Sequence, residues 1–585
     1  MWTQLWLCVG ISIFIFYFFI SNQVIFVNYE YIKQIEIGQE PAAIDETALF
    51  STCVLAEFAE DGWTNDVLRQ ANVNYDPIKK CDERFQPYTM LGGNGAVWLN
   101  PFREGVSGVK CKARAIYHKD DWYYNASSWV EIGTAASTVV FNSDFVHTHC
   151  VNATNRKEIV EDFVHLQMWN ATDDGGAKIN VTTINSTSLE EEEEEVDEKP
   201  SVFIFVLDSV ANSQARRSLP KTISLLHHEF DAVNLRHVNK VGENSHPNGI
   251  AFLIGKLITD LDKGIFGMGK ENADWNETYA CDRYFDDDPF ILKEFTKVKG
   301  YKSLIAEDWA HGVFNFPNCK GFEHAPATHY MSNGTHVDSF FFKFFRNVWT
   351  SQFDESFVYF MGDHGIRWGP VNEMWIGKRE INNPMMFVSV PRHMRDRIHP
   401  VLKENSGKLL TSFDIYASLV DILNEPHLKG DVGPSGIRGN SFFRSLPPGE
   451  RSCRTLPIPF RFCLCEWNKT KSENVTVNGE IGIGSVKLLN LKLKDLHMDT
   501  ACEKFTLNKT IEVKMIDRTD GLAEVVFTVN ECGGQFKTIV RAHRMAHGLL
   551  NITLAASDFT RSNSYGKTAE CMKSRPSLRP LCCCR

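Results

Sequence analysis

No CxxC pair in this chain stands near a second CxxC or a pair of histidines, although the chain holds 16 cysteines. That argues against structural zinc and for disulfides formed in an oxidising compartment. A basic surplus is missing too. Lys and Arg number 62 against 73 Asp and Glu, a formal charge of -11, so the footprint of a nucleic-acid binder is absent. There is no internal repeat. No Lys or Arg precedes the first apolar run, so flanking charge does not orient it. What remains is ordinary globular material, 43% hydrophobic and 23% charged, and 585 residues exceed one core, so two or three domains are expected.

The apolar run covers Leu5–Ile20 and continues through Val24 to Val27. Its length suits an uncleaved bilayer-spanning helix, and it lacks a clear small-x-small cleavage site. A cleaved signal peptide is the alternative, and the product would then be secreted. Eleven Asn-x-Ser/Thr sequons follow, at Asn125, Asn152, Asn170, Asn180, Asn185, Asn276, Asn333, Asn468, Asn474, Asn508 and Asn551. With them the sequence predicts a single-pass membrane protein whose body is lumenal or extracellular. Fifteen cysteines lie outside the apolar run, an odd number, so one thiol is left over or pairs between chains.

Composition divides the chain. Residues 1–27 read as the anchor. Residues 28–199 are polar, sequon-rich and cysteine-bearing, and they close on the acidic run "LEEEEEEVDEKP" (Leu189–Pro200), whose plainest reading is a solvated linker. From Ser201 the pattern changes. "SVFIFVLDS", "KSLIAED" and "FVYFMGDHG" are unbroken apolar runs of strand length, and such runs suit strands covered on both faces. Helical spacing alternates with them in Ser218–Phe230, "SFFFKFFRNVWTSQ" and Leu409–Asn424. Residues 200–455 therefore predict an α/β domain with a mainly parallel sheet flanked by helices. Residues 456–585 carry short alternating segments, "TIEVKMI" and "AEVVFTV", and predict a small β-rich, disulfide-bonded module.

Sites in open α/β sheets form at the carboxyl ends of strands. Asp208, Asp308 and Asp363 each follow a strand-like run, and His364 adjoins the third. Carboxylates with an imidazole suit zinc or manganese, with calcium or magnesium as the alternatives. The competing reading makes each Asp the cap of the next helix or turn. "NKVGENSHPNG" (Asn239–Gly249) offers a nucleophile in Ser245, whose hydroxyl a divalent cation would activate, and a positive charge for an anionic substrate in Lys240.

Together, strand-Asp208, a hydroxyl about forty positions on, and strand-Asp363-His364-Gly365 resemble the alkaline-phosphatase and sulfatase superfamily. Within it the chain is similar to an animal family catalogued as domain of unknown function 229. The segments that carry the likeness are "DSVANSQARRSLPKT", "NKVGENSHPN", "GYKSLIAEDWAHGVFNF", "GDHGIRWG", "LLTSFDIYASLVDIL" and "SYGKTAECMKSRPSLRPLCCC". The resemblance implies an alkaline-phosphatase-like fold and metal contacts from Asp208, Ser245, Asp363 and His364. It makes Ser245 the nucleophile where relatives have Thr, and it places Asp308 near the site. It also implies a Cys-x-Cys ending, which makes Cys583 the expected unpaired thiol. The chain departs from the family at Ala211 and Asn212, which replace Ser and Arg. It departs again in the stretch between Asp308 and Asp363, where relatives carry a much longer segment.

Two functions follow. One is a metal-dependent hydrolase or transferase of phosphate esters, or of sulfate esters, on a glycan or lipid. A sulfatase would convert Cys or Ser in a Cys/Ser-x-Pro-x-Arg motif; here Ser245 and Pro247 are present but Gly249 stands in place of Arg, which favours phosphate. The other is a non-catalytic ectodomain on an enzyme fold.

Overall fold

β1 (Val109–His118) buries Val109, Cys111, Ala113 and Ala115, the period of a strand with one face covered. It runs antiparallel to β2 (Phe145–Asn152), and their register sets Cys111 opposite Cys150, with which it forms a disulfide. Ile159–Leu166 and two short strands complete a five-stranded antiparallel sheet. The computed structural model describes residues 46–56, 64–71, 86–135, 139–169, 199–307, 312–331 and 353–585, apart from 317, 368, 375, 426–427, 429–434, 546–547, 557–558 and 574. The described part of 46–585 is one compact unit.

β3 (Val202–Leu207) lies parallel to β4 (Phe357–Gly362), with Val202 opposite Phe357 and Leu207 opposite Gly362. All six residues of β4 are buried, as a run without alternation requires. Its other neighbour, β5 (Met386–Ser389), is equally buried but antiparallel, and Val233–Asn234 pairs antiparallel with β5. The expectation of a mainly parallel sheet is therefore corrected: among the described residues this sheet is mixed, and the sheets of the chain are mostly antiparallel. An unbroken apolar run reports cover on both faces and carries no information on strand direction, so "MMFVSV" and "FVYFMG" read alike. β3 itself is half-buried at the edge of the sheet, its Phe203 and Phe205 packed edge-on against Phe353.

Two of the helices expected from apolar spacing are found close to their expected spans, at Pro220–Phe230 and Ser412–Asn424. α1 (Ser245–Leu253) is capped by the Asn244 side chain, which accepts from His246 N–H. α2 (Ser412–Asn424) opens with a capping box between Thr411 and Asp414 and packs beneath the central sheet. The C-terminal region holds the expected strands, β6 (Leu507–Ile516), β7 (Leu522–Val529) and β8 (Gln535–Arg544), all antiparallel. It also holds a 21-residue helix, α3 (Val475–Asp495), which the β-rich reading did not anticipate and which buries Ile481, Val486, Leu489 and Leu493 in the apolar cluster of this sheet.

The whole is a mixed α/β protein with several sheets and seven disulfides among the described residues. Cys583 is not the leftover thiol: it pairs with Cys532, while its neighbours Cys582 and Cys584 pair with Cys502 and Cys571. Cys8 and Cys81 lie outside the described residues. The expectation of a single-pass membrane protein is corrected in the same way, because no helix among the described residues is long and apolar enough to cross a membrane. The run Leu5–Val27, the acidic linker up to Glu198, "SFFFKFFRNVWTSQ" and Asp308 all lie outside the described residues.

Candidate functional site

Because Leu207 stands opposite Gly362, β3 and β4 deliver Asp208 and Asp363 side by side at one sheet end. The glycines around Asp363 and His364 answer to close backbone approach. A Cβ on Gly362 would overlap the carbonyl oxygen of Val210, and one on Gly365 would overlap that of Glu380. Neither needs a left-handed backbone. Ser209 does adopt one, with φ of 62°, an uncommon state for a residue with a side chain. That turn aims the Ser209 N–H at Asp363 Oδ1, 3.0 Å away, while the His364 N–H donates to the same oxygen at 2.8 Å.

With Oδ1 saturated, Asp363 presents Oδ2, which lies 3.4 Å from His364 Nε2. His364 donates from Nδ1 to the Gly365 carbonyl at 2.8 Å, so Nε2 is left with its lone pair toward the site. Asp208 Oδ1 accepts from the Ser209 hydroxyl at 2.8 Å and stands 3.6 Å from the same Nε2. The Ser245 hydroxyl, at the first residue of α1, lies 3.5 Å from it. Asp208, Asp363 and His364 thus offer three ligand atoms within 4.8 Å of one another. Burial lowers the basicity of His364 against the pull of Asp363, which favours the neutral ring. A neutral imidazole lone pair facing two carboxylates is repulsive unless a cation sits among them, and two oxygens with one nitrogen suit zinc or manganese. The chemistry of the donor set fits a divalent ion.

Of the residues singled out from sequence, Asp208, Asp363, His364 and Ser245 come together. Lys240 lies beside them, fully buried, with Nζ 3.5 Å from the Glu243 carbonyl and 4.4 Å from the Phe462 ring centre. Burial brings its ammonium down to about 8. Asp308 lies outside the described residues. Sequence reasoning missed Ser209, Glu243, Arg367 and Arg461. Burial pushes the Glu243 carboxyl up, but Lys240, Arg461, Arg367 and His364 outweigh it and hold the group below the ordinary range. Ser209, Glu243 and Arg367 sit inside motifs already quoted and were overlooked there. Arg461 had no signal beyond the cysteines around it.

No curated protein matches the chain. The profile of a family described as "Protein of unknown function (DUF229)" matches residues 81–335 and 332–511, well over half of the sequence. The chain belongs to that family.

Proposed function

We propose that the protein is a metal-dependent hydrolase or transferase of phosphate esters, less readily of sulfate esters, carried on a glycan or lipid, and that it is a member of the alkaline-phosphatase and sulfatase superfamily. The observation that carries this reading is the convergence of Asp208 Oδ1, Asp363 Oδ2 and the Ser245 hydroxyl on His364 Nε2, at 3.6, 3.4 and 3.5 Å. Asp208, Asp363 and His364 would hold the ion, with Ser245 completing the set. Zinc or manganese there would polarise the ester and stabilise the Ser245 alkoxide. Asp308, which lies outside the described residues, would be the further acid of the proposed site.

The rest falls to the chain's own groups. Ser245 attacks phosphorus, the alcohol leaves, and water then frees the phosphate from the serine. As the first residue of α1, Ser245 sits in the positive end of the helix dipole, which favours an oxyanion there. Lys240 adds charge against the anionic substrate. The Gly365 carbonyl fixes the His364 ring, and the two backbone N–H groups on Asp363 keep its free oxygen aimed inward.

The test is metal content by mass spectrometry for the parent, Asp363→Asn and His364→Ala, with folding checked by circular dichroism. Folded variants should lose most of the metal; full retention would remove these residues as ligands. Ser245→Ala should keep its metal and lose phosphoesterase activity to the buffer level. The second reading, a non-catalytic protein on this fold, draws support from one observation. The two family segments meet at 332–335, inside the shortened span between Asp308 and Asp363. A parent that binds metal but hydrolyses no ester would favour it.

A further inference from the structure

The chain beyond Asp208 runs into the short helix Asn212–Ser218, and the chain beyond His364 reaches the short helix Gly377–Asn382. A buried ion pair joins the two helices. Arg217 Nη2 lies 2.7 Å from Glu380 Oε2, and the Ser213 hydroxyl donates to Glu380 Oε1. The Arg217 and Glu380 side chains are 3% and 1% exposed. Backbone contacts carry this junction on to the site. The Glu380 carbonyl oxygen packs against Gly365, whose N–H donates to the Ile381 carbonyl at 3.1 Å and whose own carbonyl holds His364 Nδ1. On the Asp208 side, Ala211 forms a backbone bridge with Pro384, and the Asn212 N–H donates to the Asn383 carbonyl at 2.9 Å.

Resting on the metal reading above, we propose that Arg217 and Glu380 are a positioning pair that sets the separation of Asp208 from His364, and with it the affinity of the site for its divalent ion. A buried ion pair loses in desolvation much of what it gains in attraction, so stability alone does not account for one at this junction. A guanidinium fork does supply direction, because it accepts a carboxylate in few orientations. The two charges cancel, so the pair acts on the ion through geometry and not through its field. One helix moves with Asp208 and the other with Gly365 and the His364 ring. Loosening the pair lets the two ligands drift apart.

The test uses the full disulfide-bonded chain, with zinc and cobalt as probes. Zinc affinity is measured by competition with a chelator, the visible spectrum of the cobalt form reports ligand geometry, and denaturant unfolding is followed separately. Arg217→Met with Glu380→Gln leaves no charge buried alone and should fold. It should bind zinc roughly tenfold to hundredfold more weakly and shift the cobalt spectrum. Arg217→Lys returns a charge to the same place and should recover part of the affinity. A merely structural pair would change the unfolding midpoint and leave affinity and spectrum as in the parent, and that result overturns the proposal. If the double variant does not fold, Ser213→Ala decides. It frees one Glu380 oxygen and should weaken zinc binding several-fold, and an affinity equal to the parent's overturns the proposal. A parent that binds neither metal removes the metal reading and this proposal together, whereas a metal-binding parent with indifferent variants removes this proposal alone.

Discussion

The sheet end that carries Asp208 and Asp363 and the region of β6–β8 are held by different means. At the sheet end, backbone N–H groups, carbonyls and two glycines in close contact set the side chains, and no disulfide lies in β3, β4 or the turns that follow them. In the C-terminal region three consecutive cysteines, Cys582 to Cys584, tie a tail of short turns to Cys502, Cys532 and Cys571. The difference follows from what each must resist. Two carboxylates and an imidazole lone pair push apart and need a backbone fixed on every side. The tail buries Ala569, Met572 and Leu581 in the apolar cluster under β6–β8, but its short turns have no sheet ladder to fix them, and the covalent ties hold them there.

Several substitutions break or sharpen this contrast. The largest effect is expected from Cys502→Ser with Cys582→Ser, roughly 4 kcal/mol from the loop that the bond closes. Hydrogen exchange should show lost protection in β6–β8 with β4 unaffected; equal loss in β4 would mean that the two regions melt as one. Gly365→Ala should cost about 3 kcal/mol, because the added carbon meets the Glu380 carbonyl, and denaturant unfolding measures it. No reductant should reproduce that effect.

A third kind of hold is found away from both regions. Asp121 is buried, accepts from Tyr330 OH at 2.7 Å and from Phe322 N–H at 2.9 Å, and so pins the loop after β1 to the segment near 320–330. Burial pushes its carboxyl up to about 7, and Glu307 and Asp286 add to that against the two hydrogen bonds. The folded state then holds a proton that the unfolded chain releases near 4. Its contribution is full below pH 4 and is lost as pH rises toward 7. Asp121→Asn should flatten that slope and change stability by about 2 kcal/mol, read from unfolding midpoints across pH 4 to 7. The smallest effect, ~1 kcal/mol, is expected for Asn474→Ala, which removes the cap on Val477 N–H at the start of α3.

The strand-end carboxylates were legible because buried apolar runs and flanking glycines are local patterns. Strand direction was not, since β4 and β5 carry the same kind of run. α3 was hidden by Gly479, Gly482 and Gly484, which lower helix propensity. The last two are there for packing: a Cβ on Gly482 would meet Thr510, and one on Gly484 would meet Ile552. Arg461 was invisible for a different reason. It shares the Phe462 ring with Lys240, more than two hundred positions away in the chain, and no local pattern records such a pairing.

The Cys53–Cys465 bridge joins residues 412 positions apart. Its consequence lies in time. At about 5 to 20 residues per second, roughly 20 to 80 s of synthesis separate the emergence of the two sulfurs. Until Cys465 appears, Cys53 is a waiting thiol in a chain that already displays Cys111, Cys150, Cys281 and Cys319, and each of these is a wrong partner. Their own bridges span only 39 and 38 positions, so the short ones can close first and leave Cys53 to its distant mate. Cys81 and Cys111, however, emerge before Cys150, so order of synthesis alone does not protect Cys53, and its native bond has to form or be restored after Cys465 has appeared.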